Sequence, residues 1–332
     1  MSILPTIVFV HLNSPIPLYL KLNIVSTIKK FPTAKVVLIR NDKKSNGIHS
    51  DLWHFDYKPG SSSQSIENSL SHPKDFRHNF WFSAIQRFDA LRSYIESSQE
   101  PILHLESDVI VSRDFPLEKF ILSEMKIAYP VVADNRGVAS SVFIRDLETA
   151  EKLVQFADET CSVNSHTTDM EILAGFFEKN PDIATSLAFG PESIYAYDEN
   201  FLIRRVQSTF DIYNGIFDGN DIGVYLFGTN PRNTRGVSYV RTSIQGNYAK
   251  VDKWNFNFDN LRKFINLEFG GEVYLIYSVH ATSKQLTLFH HITHKYVIRR
   301  HLRKKIHAGD RKFFPFVTLT MAIRKMLKLW KS

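Results

Sequence analysis

Cysteine is almost missing from this chain: Cys161 is the only one in 332 residues. One thiol excludes an intrachain disulfide and leaves too few ligands for a thiolate zinc site. It also suits a reducing compartment. The first residues lack the positively charged leader and small-residue cleavage site of a signal peptide. The apolar stretch Ile7 to Leu12 is far too short to cross a bilayer. We therefore expect a cytoplasmic protein and read that stretch as a first strand. His11 to Pro17, at the end of the strand, contains no glycine. The Gly-rich phosphate loop that a nucleotidyltransferase would carry there is thus absent. No internal repeat and no clear linker interrupts the chain, which at this length favours a single large domain.

What is present is an ordinary globular composition, 43% hydrophobic and 23% charged, which argues against wholesale disorder. The charge is unevenly spread. Residues 291–332 hold twelve Lys or Arg against one acid, Asp310, and so carry +11; with a net charge of +7, the first 290 residues carry −4. A basic surface throughout would favour nucleic acid, and the acidic remainder tells against that partner. A basic tail on a mildly acidic domain points to a membrane surface. In the tail, Leu319, Ile323, Met326 and Trp330 recur at helical spacing, with Arg324, Lys328 and Lys331 on another face. This pattern suits a basic amphipathic helix at an anionic bilayer, or a helix packed on the domain with a solvated face. The expected division is a domain over 1–290 and a basic helical extension over 291–332, with the protein cytoplasmic or peripheral on the inner face of the cytoplasmic membrane.

Thr6 to Leu12 predicts a strand, Leu18 to Phe31 a helix closed by Pro32, and Lys35 to Ile39 a second strand. In the helix, Leu18, Leu22, Val25 and Ile28 form the expected core stripe. A β-α-β opening favours a parallel, doubly wound α/β sheet. Residues 41–50 and the Ser-rich Gly60 to Ser71 read as loops, the second of them mobile. Phe80 to Glu96 predicts a strong helix with Phe82, Ile85, Phe88, Leu91 and Ile95 on its apolar face. Further strands are expected at Lys126 to Val132, Ser140 to Ile144 and Glu272 to Val279. Asp146 is placed to cap a helix reaching about Phe156, and Thr167 or Thr168 to cap another.

The chemistry centres on residues 101–112. Ile102, Leu103 and Leu105 read as a buried strand that ends in Glu106-Ser107-Asp108, before Val109 to Val111 turns apolar again. Two carboxylates on a buried strand are costly unless paired. At the carboxyl end of a strand they can face the ligand crevice of an open α/β sheet. There a divalent cation and a diphosphate would satisfy both charges. The plain alternative is a solvated turn.

The order of these features resembles a GT-A fold glycosyltransferase, the nucleotide-sugar-dependent class with an Asp-x-Asp type metal motif. Four stretches carry the likeness: His11 to Pro17; Phe82 to Leu91 followed by Leu103 to Val109; Phe217 to Gly228 with Asn230 to Asn233, similar to an acceptor-side segment of bacterial members; and Ser278 to Lys284. Together they span most of the domain. The departure is Glu106, which stands where the motif has its first Asp.

The resemblance implies a doubly wound mixed sheet of GT-A type with a basic C-terminal helical extension. It implies a hexosyltransferase-like enzyme moving a sugar from a nucleotide-sugar donor to a glycan or glycolipid acceptor, in bacterial surface polysaccharide or lipopolysaccharide synthesis. Mn²⁺ or Mg²⁺ would stabilise the diphosphate leaving group. Asp108 would ligate the metal, His280 would reach it from the far end of the sheet, and Glu106 would contact ribose or water. A His ligand favours Mn²⁺. His11 and Asn13 fall where the base lies in a doubly wound sheet. Lys284 could screen the diphosphate, and Arg87 could pair with Asp108 or the nucleotide. The plain readings are a hydrogen-bonded surface residue for His280, a solvated one for Lys284, and an ion pair with Asp89 or Asp42 for Arg87.

An inverting enzyme needs a carboxylate base facing the acceptor hydroxyl. Asp169 and Asp218 lead the candidates, ahead of Glu171 and Asp221. Asp169 would serve equally as a first-turn acid on its helix, and Asp218, before Gly219, as a turn residue. A retaining enzyme needs no such base. Readings from other classes are a metal-dependent nucleotidyltransferase and a non-catalytic nucleotide- or sugar-binding module. Metal-dependent release of a nucleoside diphosphate separates the transferase from both.

Overall fold

The computed structural model describes residues 4–42, 47–74, 79–190, 209–220, 222–223, 255–259 and 264–281. Asp221, Lys284 and the whole basic extension lie outside the described residues. The chain opens with β1 (Thr6–Val10), α1 (Leu18–Lys30), β2 (Val36–Arg40), β3 (Leu52–Asp56), α2 (Ser61–Ser69) and α3 (Phe80–Ser98). There follow β4 (Ile102–Leu105), β5 (Val109–Val111), α4 (Leu117–Leu122) and β6 (Ile127–Tyr129). Next come β7 (Val131–Ala133), β8 (Arg136–Gly137), β9 (Ser141–Ile144), α5 (Leu147–Val163), α6 (Asp169–Lys179) and β10 (Ala184–Ser186). The last described elements are β11 (Ile216–Phe217), β12 (Asn255–Asp259), β13 (Phe264–Phe269) and β14 (Glu272–His280).

Seven strands form the main sheet in the order β10-β6-β9-β4-β1-β2-β3. β1 pairs in parallel with β2 and with β4, and β2–β3 and β6–β10 are parallel as well. β9 alone runs against its neighbours β4 and β6. The sheet is therefore mixed and not wholly parallel. Side-chain alternation divides its residues between two cores. Ile7, Phe9, Val36, Leu38, Leu103 and Leu105 pack with α1 residues Leu20, Ile24 and Ile28. Val8, Val37, Ile39 and Ile102 pack with residues of α3, α5 and α6. Each fully buried aliphatic of this kind contributes about 1.5–3 kcal/mol.

The structure corrects three local expectations. In α1 the helix is present, but its buried face is Leu20, Asn23, Ile24, Thr27 and Ile28, while Leu18 is 67% exposed. The Ser-rich segment is a helix, α2, because Ile66 is buried in the core and Ser63 accepts a hydrogen bond from Gln86 of α3. Tertiary packing there overrides a weak local preference. The strand expected over Lys126 to Val132 is two strands, β6 and β7, divided at Pro130, which has no N–H to give to a ladder. The expected face of α3 is buried throughout, and Asp146 caps α5 by accepting from the Thr149 N–H at 3.0 Å.

A second sheet places the late strands. β14 pairs antiparallel with β13 and with β5 and parallel with β11, while β13 pairs with β12. β4 and β5 thus follow one another in the chain but belong to different sheets, and Glu106-Ser107-Asp108 is the turn between them. No helix among the described residues is long and apolar enough to cross a membrane.

Candidate functional site

The acidic turn is held first through its backbone. The Val109 N–H donates to the Glu106 carbonyl at 3.0 Å, and the Glu106 N–H to the Ser140 carbonyl at 3.2 Å. From α1, the buried Asn23 amide donates to the Ser107 carbonyl at 3.2 Å and the Val109 carbonyl at 2.8 Å. One turn of sheet further on, the Lys30 ammonium donates to the Val111 carbonyl at 2.6 Å. Burial, with repulsion from Arg113, pushes the Lys30 ammonium down to about 8. Asn23 was not legible as a site residue. A lone polar residue inside an apolar helix carries a weak signal, and here it explains which face of α1 is buried.

The second sheet supplies the third group. β5 and β14 pair in the register Ser278↔Val111, Val279↔Ile110 and His280↔Val109. The Ala281 N–H extends the ladder to the Asp108 carbonyl at 2.8 Å. His280 therefore stands beside the acids on a neighbouring strand and does not approach from the far end of the main sheet. Its Nε2 lies 3.3 Å from Glu106 Oε2 and 3.4 Å from Asp108 Oδ2. One ligand atom from each of Glu106, Asp108 and His280 can be chosen so that all lie within 4.8 Å of one another.

Arg87 enters from α3. Its Nη1 donates to Glu106 Oε1 at 2.5 Å and its Nη2 to Asp169 Oδ2 at 2.6 Å. These two bonds stand in place of the Asp89 and Asp42 pairings, while Asp108 acts on the guanidinium through its charge. Asp89 instead accepts from the Tyr57 hydroxyl at 2.6 Å and from Arg92 at 3.0 Å, and Asp42 pairs with Arg40. Burial opposes ionisation of Glu106, but the charges of Arg87 and His280 outweigh it and hold the carboxyl below its usual range. At Asp169 burial wins: together with the Glu106 charge it pushes the carboxyl up against the pull of Arg87. Asp169 opens α6 directly after Thr168, whose side chain accepts from the Glu171 N–H while Glu171 accepts from the Thr168 N–H. That capping box accounts for Glu171.

The remaining candidates lie at two other places. Asn13, with φ 58 in the left-handed region that Asn tolerates, stands at the end of β1. Its amide donates to Ser83 and Gln86 of α3, at 2.9 and 3.0 Å, and accepts from Asn41 at 2.6 Å. His11 braces its own loop, with Nε2 3.0 Å from the Pro15 carbonyl and 3.1 Å from Ser14 Oγ; burial lowers its pKa. Asp218 is buried behind His280, and both its oxygens accept from backbone N–H groups.

The sequence matches no protein-family model and no curated protein. Among solved structures, those similar to this one include several glycosyltransferases. Galactosyltransferase LgtC in complex with donor and acceptor sugar analogs is 18% identical, with a TM-score of 0.41 over 61% of this chain and 83% of that one. The PaToxG glycosyltransferase is 13% identical, with a TM-score of 0.39 over 54% of this chain and 70% of that one. Mouse xyloside xylosyltransferase 1 in its apo form is 9% identical, with a TM-score of 0.37 over 55% and 85%. At these scores the likeness carries no argument about the site, whose chemistry rests on its own residues.

That chemistry fits a divalent cation. Three carboxylates, those of Glu106, Asp108 and Asp169, gather around one guanidinium, Arg87, and one imidazole, His280. Asp108 is 2% exposed and His280 9% exposed, so water does little to screen the acids from one another. Like charges held that close repel. One divalent ion held by two carboxylate oxygens and an imidazole nitrogen would relieve the repulsion.

Proposed function

We propose that this chain is a metal-dependent glycosyltransferase of the GT-A type, moving a sugar from a nucleotide-sugar donor to a glycan or glycolipid acceptor. One observation carries the reading: Glu106, Asp108 and His280 converge beyond the carboxyl end of β4, each able to turn a ligand atom to one point. The place supports it too. β1 lies between β2 and β4, so the strand order reverses between β1 and β4. Open α/β sheets bind nucleotides beyond the carboxyl ends of their strands at such a point. Asn13 stands at the end of one of these two strands and Glu106 at the end of the other.

The residues divide the work. Asn13, exposed and steadied by Asn41, Ser83 and Gln86, faces the nucleoside. Asp108, Glu106 and His280 would hold the cation, Mn²⁺ in preference to Mg²⁺ because one ligand is an imidazole. The bound ion supplies Lewis-acid stabilisation of the departing diphosphate. Arg87 fixes one oxygen of Glu106 and leaves the other toward His280. It also orders Asp169, whose raised pKa suits a general base for the acceptor hydroxyl.

The test is release of nucleoside diphosphate from a panel of UDP-, GDP- and TDP-linked sugars, with and without Mn²⁺. Turnover of at least one donor that EDTA abolishes is the expected result. Turnover that survives EDTA, or no turnover of any donor at saturating Mn²⁺, overturns the reading.

A further inference from the structure

We propose that Asp218 is a positioning residue: it anchors the backbone of His280 so that the imidazole stands over both acids. The proposal rests on the metal site above and names what sets its geometry. Asp218 follows β11 directly and is 1% exposed. Its Oδ1 accepts from the N–H groups of Asn220 at 2.8 Å and Ile222 at 3.0 Å. Its Oδ2 accepts from the N–H groups of Gly223 at 2.7 Å and His280 at 2.9 Å. In return, the Asp218 N–H donates to the Ser278 carbonyl at 3.3 Å.

All four donors to this carboxylate are backbone amides, two to each oxygen. With two N–H groups on each oxygen, the acceptor sites of this carboxylate are taken up by the backbone. Gly223 closes against the next peptide group, the one that begins at the His280 carbonyl. A Cβ at Gly223 would fall 1.9 Å from the His280 carbonyl oxygen and 2.6 Å from its carbon, atoms of a paired strand that have no room to yield. Asp218 thus holds His280 by its N–H, and Gly223 abuts its carbonyl. What this grip sets is the 3.3 and 3.4 Å approach of Nε2 to Glu106 and Asp108.

Two variants of the full chain test the grip. Asp218→Asn keeps the volume but turns an amide NH₂ toward two N–H donors. Gly223→Ala crowds both the His280 carbonyl and Asp218 Oδ2, and so strains the grip while leaving the carboxylate in place. Isothermal titration with Mn²⁺ should show both weakened about tenfold or more, the usual effect of losing a group that orients a ligand. Val154→Ala, on the buried face of α5, should lower the melting temperature and leave Mn²⁺ affinity unchanged. Asp218→Asn with unaltered Mn²⁺ affinity and depressed turnover would overturn the proposal and return Asp218 to an acid–base role. If the parent chain binds no Mn²⁺, the metal reading fails, and crystal structures of the two variants decide the grip by themselves. Displacement of Nε2 from the acids supports it, and an unmoved imidazole overturns it.

Discussion

Asp218 and the pair Glu106 and Asp108 lie on opposite sides of His280, and the fold satisfies them by opposite means. Asp218 takes four backbone N–H groups. Glu106 is met by side-chain charge, from Arg87 and His280, and it shares that charge with Asp108 and Asp169. Backbone donors come with the fold itself but carry no net charge, and burial still pushes the Asp218 carboxyl up against them. The ions around Glu106 do carry charge, and they outweigh its burial and hold its carboxyl down. The difference separates an acid whose lone pairs are filled by the architecture from acids grouped where the charges of other side chains converge.

The largest expected effect comes from changing the charge count while keeping the shape. Asp108→Asn should abolish metal-dependent nucleotide binding and lower turnover about a hundred- to a thousandfold, the scale of one lost electrostatic stabiliser of about 3–4 kcal/mol. Transfer measured against Mn²⁺ concentration reads it. Full activity in EDTA would erase the distinction between the two kinds of acid.

Arg87→Met comes next. It leaves the buried Asp169 and the partly exposed Glu106 without their shared cation, and breaking a buried pair costs up to about 3–5 kcal/mol. The urea midpoint should fall accordingly in EDTA and recover in part when Mn²⁺ is added, since a ligand of the native state stabilises it. An unmoved midpoint would mean that the cluster is not held by charge.

The smallest effect extends the comparison to a cation that, like Asp218, is met by backbone. Lys30 donates a hydrogen bond to the Val111 carbonyl, and its folded pKa of about 8 lies below the usual 10.5. Between those values the unfolded chain binds more protons than the native one, so stability rises with pH from about 8 to about 10.5. Below pH 8 the cost of burying the charge is present in full, roughly 3 kcal/mol. Lys30→Met should flatten the rise in a pH series of denaturation curves, and an unchanged slope would locate its cause elsewhere.

How much of this could be read from the chain alone depends on the range of the contact. The helix α3 and the caps at Asp146 and Thr168 are short-range features, governed by periodicity and by one side chain reaching its own first turn. The acids were visible because a buried strand ends in them. The partners of Arg87 were not, because Asp169 lies 82 residues away and nothing local distinguishes it from Asp89. The face of α1 was misread for a related reason. Its apolar residues alone favour Leu18 and Leu22, yet the buried stripe includes Asn23 because the turn at 107–109 needs a donor there. The Asp218 cage was equally hidden, since backbone N–H groups leave no mark in composition.

The pairing of β5 with β14 also sets a timetable. It joins residues about 170 positions apart, and the entropy of closing so long a loop must be met before the contacts repay it. The strands of the main sheet all lie before residue 190 and need no part of β14 to find their neighbours. The seam between the two sheets is therefore expected among the late events of folding. Until β14 arrives, the acids of the turn face Arg87 and lack their imidazole. A chain halted short of β14 would carry a finished main sheet whose acidic turn still lacks the neighbouring strand and its imidazole.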